Sequence, residues 1–516
     1  MDNIWTAKME DLKRRREQVV LGGGEKRIQA QHAKGKLTAR ERLALLFDEG
    51  IFTEVNDMVL SRATEFGMDK KKKFGDGVVC GYGMVGSRIV FASSQDFTVN
   101  GGALGEAQAQ KICRTMDLAL DMKAPYIAIN DSGGARIEED IDGLSGYGGI
   151  FYRNTMASGV IPQISVILGP CAGGACYSPA ITDFIFMTAK NSQMYITGPS
   201  VVEMAIGEKK TPSELGGAGV HSVISGVAHF AYPDDKACIE GVRRLLSYLP
   251  SNNDETPPIT KKLAVNGCKR IPSMVPGDSR KPFDIKPVLE LIIDKDSFME
   301  VQPIFAKNIV VGFARLSGRT IGIVANQSNH LGGALDINSS DKAARFIRFC
   351  DRFHIPLVTF VDVPGFLPGS LQEHAGIIRH GAKLLYAYAE ATVPKISLIM
   401  RKAYGGAYIG MNSKALGADM VFAWPTAEMA VMGADGAVSI IGRKEIQQAA
   451  DPDSKREELR EDYIRKLLNP YIGVEHGHVD EVIAPEETRD RLVAALTMLE
   501  SKDRTIPRKK HGNIPL

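Results

Sequence analysis

The chain repeats itself, and that repeat limits what it can fold into. Gly101-Gly102-Ala103 recurs as Gly332-Gly333-Ala334, Pro125 as Pro356 and Asp131 as Asp362, each at an offset of 231 residues. Gln95 matches Gln327, Pro162 matches Pro394 and Gly173 matches Gly405 at an offset of 232. An offset held this steadily marks an internal duplication. Within each copy, apolar strand-like runs alternate with helical ones. That pattern predicts an α/β domain of stacked βαβ units whose working loops lie at strand ends. A chain of 516 residues is also too long for one ordinary core. Prolines at 250, 257, 258, 272, 276 and 282 mark the break between copies. The predicted organisation is a first domain over 1–262, a linker over 263–283 and a second domain over 284–516.

The feature repeated with most chemical content is a glycine pair. Pro162-Gln163-Ile164 leads through a short apolar strand into Gly173-Gly174-Ala175, and Pro394-Lys395-Ile396 leads likewise into Gly405-Gly406-Ala407. A strand that empties into paired glycines and a small-residue helix presents unhindered first-turn N–H groups, which hold negative charge. For one such pair, close helix–strand packing is the better explanation. Two at matching positions point to chemistry that makes two separate oxyanions. Ser132-Gly133-Gly134-Ala135-Arg136 follows the strand PYIAIND. Asp131 and Asp362 end equivalent strands, either as general bases or as ties for the loops that follow. Cys171 and Cys176 flank the first glycine pair and read as small packing residues, since no histidine partner recurs beside the second pair. His476 and His478 read as structural rather than as metal ligands.

Other classes fall away. Lys plus Arg is 63 against 61 acids, so no global charge argues for nucleic acid. The start, MDNIWTAKMEDLKRRREQVV, is charged throughout and does not read as a secretory signal, and no apolar run reaches membrane-spanning length. Seven scattered cysteines without a CxxC pair fit a reducing cytoplasm better than a disulfide framework or a zinc site. Gly81, Gly83 and Gly86 satisfy GxGxxG, but β-type residues follow them where a dinucleotide site needs a helix. There is no HExxH, GxSxG, P-loop or EF-hand pattern.

Along the chain, residues 2–46 read as two basic helices broken at Gly22-Gly23-Gly24 and docked by Leu37, Leu43, Leu45 and Leu46. Lys70 to Lys73 form a basic run, read first as a solvated loop and second as a contact for a phosphate. VVCGYGMVGSRIVFAS predicts a hairpin, Leu104 to Met122 and Tyr147 to Ser158 helices, and IPQISVILG, DFIFM and QMYITGPS strand-like pieces. Lys444 to Leu468 is a charged helical region. An enzyme built on backbone donors without a side-chain base takes its base from a cofactor or from substrate.

Several long blocks carry a resemblance: GGGEKRIQAQHAKGKLTARERLALL from Gly22, SQDFTVNGGALGE from Ser94, NDSGGARIEE from Asn130, SGVIPQISVILGPCAGGACYSPA from Ser158, LDINSSDKAARFIRFCDRF from Leu335, FVDVPGFLPG from Phe360, IIRHGAKLLYAYAEATVPK from Ile377, AWPTAEMAVMGADGAV from Ala423 and the terminal KHGNIPL. Nearly end to end, the chain resembles the carboxyltransferase β subunits of biotin-dependent acyl-CoA carboxylases, the propionyl-CoA carboxylase type foremost, and the α subunits of methylmalonyl-CoA decarboxylases. The resemblance implies tandem duplicated crotonase-like (ClpP/crotonase) domains, acyl-CoA on the N-terminal half, biotin on the C-terminal half and a homo-hexamer. It implies carboxyl transfer between carboxybiotin and the α-carbon of a short-chain acyl-CoA, with an enolate and a ureidate arising on the way. By motif, one oxyanion hole is Gly173 and Gly174 and the other Gly406 and Ala407, with Gly133, Gly134, Ala135, Arg136 and Ile409 around the substrate. Biotin is expected on another chain, a biotin carboxylase or carrier partner or a membrane decarboxylase complex, because no AMKM attachment motif is present. Two departures stand out. Ile409 occupies the place where propionyl-CoA carboxylases carry Asp, and Asn326-Gln327-Ser328 stands where the family reads Asn-Gln-Pro.

Overall fold

The structure, a computed structural model, describes residues 3–516 apart from Ile51, Ala264 and Asn266, with Asn3 described by its backbone alone. The chain divides into two compact units, the first ending at Glu255 and the second beginning at Thr256. Each is built on an eight-stranded sheet. In the first unit β1 (Phe52–Glu54), β2 (Val78–Val85), β3 (Arg88–Gln95), β4 (Tyr126–Ser132), β5 (Gln163–Ala172), β6 (Phe184–Thr188) and β8 (Phe230–Tyr232) lie side by side in that order. β7 (Gln193–Tyr195) pairs with the C-terminal end of β5. The first three strands are antiparallel and the rest parallel.

The second unit repeats this plan with β9 (Met299–Val301), β10 (Ile309–Leu316), β11 (Arg319–Asn326), β12 (Leu357–Val363), β13 (Lys395–Tyr404), β14 (Met420–Ala423) and β16 (Glu481–Val482), and β15 (Glu428–Ala430) pairs with the end of β13. The crossover helices Glu106–Asp121 and Ile337–Arg352 begin at the same 231-residue offset. One repeat match made from residue identity is corrected here. Gln95 ends β3 opposite Val78, and the residue in that place on β11 is Asn326, opposite Ile309, not Gln327. Gln95 Oε1 accepts the Asp131 N–H at 3.2 Å, and Asn326 Oδ1 accepts the Asp362 N–H at 3.1 Å.

The parallel strands are apolar nearly throughout because both faces of the sheet are covered. Tyr126 and Ala128 on β4 pack into the cluster built by helices Glu106–Asp121 and Asp140–Ala157, while Ile127 and Ile129, on the opposite face, are equally buried. The helices differ in how they are capped. Asp336 and Ser339 form a reciprocal capping box for the second-unit helix. The first-unit helix has no capping side chain of its own and receives Glu139 Oε2 at the Glu106 N–H, 2.7 Å away.

The N-terminal segment forms three helices, Asn3–Leu21, Glu25–His32 and Ala39–Leu46, rather than the two expected. Leu43 and Leu46 dock as predicted, but Leu45 faces outward. QMYITGPS gives a strand only as far as Tyr195, before the helix Pro199–Ile206. The proline-bearing stretch read as a linker over 263–283 is instead packed into the second unit. Cys268, Ile271, Val275 and Phe283 join its core, and the carbonyls of Pro276, Asp278 and Lys281 accept from Arg401 Nη1 at 3.3, 3.3 and 2.7 Å.

Arg401 also donates to Asp362 at 2.6 Å and stacks over the Phe283 ring at 4.5 Å, with both members of the ion pair fully buried. Breaking a buried pair from one side leaves an uncompensated charge, at a cost of about 3–5 kcal/mol. Arg401→Met should therefore lower the melting temperature sharply. Arg465→Met, which breaks the exposed pair with Asp462, should move stability by no more than ~1 kcal/mol. Thermal unfolding of both variants checks this, and equal shifts would contradict it.

Candidate active site

In the first unit, three loops meet at the C-terminal edge of the parallel strands. β4 and β5 run side by side, with Ser132 opposite Cys171, so the loops leaving them are neighbours. A Cβ at Gly134, whose φ is +109°, would lie 3.1 Å from the Ala172 carbonyl, so the backbones approach more closely than a side chain allows. The third loop is Asn100–Gly102. Gly133 N–H donates to the Gly101 carbonyl at 3.1 Å, Leu104 N–H to Gly134 at 2.9 Å, and Arg136 N–H back to Leu104 at 2.9 Å. The second unit repeats the last two bonds, Leu335 N–H to Gly365 and Leu367 N–H to Leu335. It lacks the first, because Pro364 stands where Gly133 does and has no N–H.

The glycine turns follow. Gly173 sits at φ +61° and Gly405 at φ +58°, each turning the chain out of its strand into a helical segment, Gly173–Cys176 and Gly405–Gly410. Only glycine adopts this left-handed turn without strain. The N–H groups of the first helical turn have no intrahelical partner. Structural equivalence pairs Gly173-Gly174 with Gly405-Gly406. The two expected pairs, Gly173 with Gly174 and Gly406 with Ala407, are therefore one residue out of step, and Ala407 is fully buried while Gly406 is exposed.

The two turns differ in what surrounds them. A Cβ at Gly174 would meet the Tyr147 ring at 3.0 Å, whereas one at Gly406 would find no atom within 4 Å. Tyr147 is buried, and burial pushes its hydroxyl's pKa up against a smaller opposing effect of Ser132, so the ring acts as a neutral wall. Beside each turn stands an exposed aliphatic residue at the end of a short strand. The Ile196 carbonyl lies 3.7 Å from the Cβ position of Gly173, and that of Val431 lies 3.1 Å from that of Gly405. Ile409 is half-buried in the helix that Gly405 opens.

The ionisable groups nearest by sequence are taken up in fastening the loops. Asp131 is fully buried and accepts from Gln31 Nε2 at 3.0 Å, Lys36 Nζ at 2.7 Å and Arg42 Nη1 at 2.9 Å. Asp362 accepts from Arg401 and from the Lys402 N–H at 3.2 Å. Of the two roles open to these aspartates, the geometry shows the tie. Arg136 is turned inward as well, donating to Asp76 at 2.9 Å, to Glu139 at 2.6 Å and to the Ala103 carbonyl at 3.1 Å. Gly133, Gly134 and Ala135 therefore offer backbone at the site, while the Arg136 side chain holds their loop. Of the four-lysine run, Lys71 lies 4.0 Å from Glu138, just beyond that loop.

A second network was not visible in the sequence. The Tyr404 hydroxyl donates to Glu428, which also accepts from Ser279 at 3.0 Å, and Lys402 Nζ donates to the Ser279 carbonyl at 2.8 Å. Burial, with Glu428 adding to it, pushes the Tyr404 pKa up. This network clamps residues 278–281 against the strand end that delivers Gly405. Its partners are 24, 123 and 149 residues apart in sequence, so no local pattern announces it.

Residues 30–514 match the family model for the carboxyl transferase domain. The chain belongs to the carboxyl transferase family. It is 56% identical to the methylmalonyl-CoA decarboxylase subunit alpha of Propionigenium modestum over the whole of both chains. It is 55% identical to the propionyl-CoA carboxylase carboxyltransferase subunit of Haloferax mediterranei over 99% of both. A crystal structure of transcarboxylase 12S, described as a hexamer with methylmalonyl-coenzyme A and methylmalonic acid bound, superposes with a TM-score of 0.96 at 52% identity and covers 98% of each chain. Among the described residues of this family member, no helix is long and apolar enough to cross a membrane.

The unequal space at the two turns makes a test. Gly406→Ala adds a methyl group into open space at an ordinary helical position, so the melting temperature should hold or rise slightly. If the turn holds an anion, the methyl intrudes on it and turnover should fall roughly a hundredfold, the scale of one oxyanion donor. Gly174→Ala drives a methyl into the Tyr147 ring and should lower both stability and turnover. Unimpaired turnover in Gly406→Ala would remove the second turn from the chemistry.

Proposed function

We propose that this chain is a carboxyltransferase that moves a carboxyl group between carboxybiotin and the α-carbon of a short-chain acyl-CoA. The observation carrying the reading is the left-handed glycine that turns β5 and β13 alike into a helix start, which gives each unit one set of first-turn N–H donors without intrahelical partners. Each unit is proposed to be a crotonase-like domain. In the first, the amides at Gly173 and Gly174 hold the thioester oxygen as it gains enolate charge, within the narrower space beside Tyr147. In the second, the amides at Gly406 and Ala407 take the ureido oxygen of biotin. Bound there, biotin supplies the carboxyl group and, once that is lost, a base for the α-proton. The open space at Gly406 and the exposed apolar Val431 fit a compact, mostly uncharged bicyclic ring. This chain's own part is to orient both partners, hold their oxyanions and wall the substrate with apolar side chains. Each well-placed donor is worth about 3 kcal/mol, so two sets supply a substantial share of a typical rate enhancement.

Biotin is proposed to arrive on a separate carrier chain, in a cytoplasmic homo-hexamer. Large exposed apolar residues beside the loops, Ile137 and Ile141 in the first unit and Leu371 and Ile378 in the second, support a covering copy. The family names attached to the relatives favour a second setting of the same half-reaction: the α subunit of a methylmalonyl-CoA decarboxylase, which runs transfer in the opposite direction. Decarboxylation of methylmalonyl-CoA and malonyl-CoA with free biotin tests the shared half-reaction, and the partner that co-purifies tells the two settings apart. Failure of biotin to stimulate CO₂ release would overturn both.

Ile409 refines the substrate. An apolar residue near the end of the short helix opened by Gly405 adds hydrocarbon surface where aspartate would bring charge and water. One methylene in such a pocket is worth about 1–3 kcal/mol, so acetyl-, propionyl- and butyryl-CoA should all react, within roughly two orders of magnitude of one another. Ile409→Asp should shift their kcat/KM ratios about tenfold or more with little change in melting temperature. An unchanged ratio with a lowered melting temperature would show that Ile409 only packs.

A further inference from the structure

Two thiols bracket the first glycine turn. Cys171 lies in β5 and Cys176 at the start of the following helix, with Ala172-Gly173-Gly174-Ala175 between them. The Cys171 Sγ donates to the Ala175 carbonyl at 3.3 Å, and Cys176 Sγ contacts the carbonyls of Cys171 at 2.7 Å and Tyr195 at 3.3 Å. Each thiol therefore lies against the backbone of the other's segment, Cys171 on that of Ala175 and Cys176 on that of Cys171. We propose that Cys171 and Cys176 are a reversible peroxide-modification site whose disulfide switches off the first glycine turn. In the second unit the structurally equivalent positions are Ala403 and Tyr408, so the device belongs to one turn alone.

The division of labour between the two sulfurs follows from their surroundings. Cys171 is fully buried, and its interaction with the Cys176 side chain together with burial pushes its thiol well above the ordinary range, so it stays protonated. The same interaction pulls the Cys176 thiol down, and Cys176 keeps a small exposed edge. Cys176 is therefore the sulfur that meets the oxidant. Its thiolate attacks the O–O bond of a hydroperoxide and becomes a sulfenic acid, and the displaced oxygen leaves as water or an alcohol after taking up a proton. Cys171 then attacks the sulfenic sulfur, and the displaced hydroxide takes the Cys171 proton and leaves as water as the S–S bond forms. Two thiols lose two electrons and the peroxide gains them.

The disulfide brings the two sulfurs to ~2.05 Å and so pins the end of β5 covalently to the helix start across Ala172-Gly173-Gly174-Ala175, a constraint that neither single thiol imposes. Gly173, held at φ +61°, lies between the two, so the donors at Gly173 and Gly174 are turned away from their common target.

The functional half of this inference rests on the carboxyltransferase reading, and its chemical half does not. The full-length assembled protein is treated with hydrogen peroxide, and the peptide containing both cysteines is weighed before and after dithiothreitol. Alongside, biotin-dependent decarboxylation of methylmalonyl-CoA is followed. The expected result is loss of two hydrogens within that peptide and a drop in activity of roughly tenfold or more, the scale of a lost oxyanion donor, both reversed by the reductant. Cys176→Val should keep its basal activity and resist peroxide, and Cys171→Ala serves in its place if that variant fails to fold. A peptide that keeps its two hydrogens overturns the site. So does parallel inactivation of the wild type and a folded variant. A wild type without decarboxylase activity in either state indicts the carboxyltransferase reading instead, and the peptide mass still decides the disulfide.

Discussion

The structure depends on one buried aspartate per unit, at the end of the middle parallel strand. Asp131 and Asp362 each sit between two loops and hold both. The N–H of each donates to the side-chain amide oxygen of the residue that ends the neighbouring strand, Gln95 or Asn326. The carboxylate is neutralised by buried cations, Lys36 and Arg42 in the first unit and Arg401 in the second. A full charge without solvent is tolerated only when its lone pairs are filled this way. The loops that carry Gly133 and Gly173, or Gly365 and Gly405, are thereby fixed from below while their upper surfaces stay backbone. That arrangement suits chemistry by pre-set dipoles, because a donor that must not move needs rigid support.

The two units reach the same end with different material. Asp131 takes its cations from an N-terminal segment outside the repeat, whereas Asp362 uses the adjacent Arg401 of β13 and a proline-bearing strap hung from the same guanidinium. Fusion of two copies leaves each free to find its own counter-charge, provided that the strand end stays put. Arginine suits the second solution because its planar fork serves Asp362 and three carbonyls at once.

These facts also explain which parts of the molecule could be read from the chain. The strands and crossover helices were legible because apolar periodicity is local, and the repeat was legible because glycines and prolines mark fixed backbone needs. The glycine turns fell at the predicted places for the same reason. Lys36, Arg42 and the Tyr404–Glu428–Ser279 network were not legible, since their partners lie 24 to 149 residues away and no periodicity links them. The strap over 276–281 was misread because prolines are breakers wherever they occur, and only Arg401 reveals that this irregular backbone is bound. Gln327 was matched to Gln95 by identity, while the hydrogen-bonding role had moved to Asn326. Arg136 is placed around the substrate by the family resemblance alone, whereas the buried bonds of its side chain to Asp76 and Glu139 have no sequence signature.

A site made of backbone amides evolves differently from one made of side chains. No substitution removes an N–H short of proline, so divergence between duplicated sites has to act on what borders the amides. That is where the two units differ. Tyr147 stands against Gly174, while nothing stands against Gly406. Gly133 donates to a neighbouring loop where Pro364 cannot. Two thiols bracket the first turn, where alanine and tyrosine bracket the second. The left-handed glycine and the buried aspartate are the constants, and the bordering residues give the two turns their unequal shape. Under the proposed carboxyl transfer, two identical holes would compete for the same partner, whereas holes of unequal shape would sort the enolate from the ureidate by size.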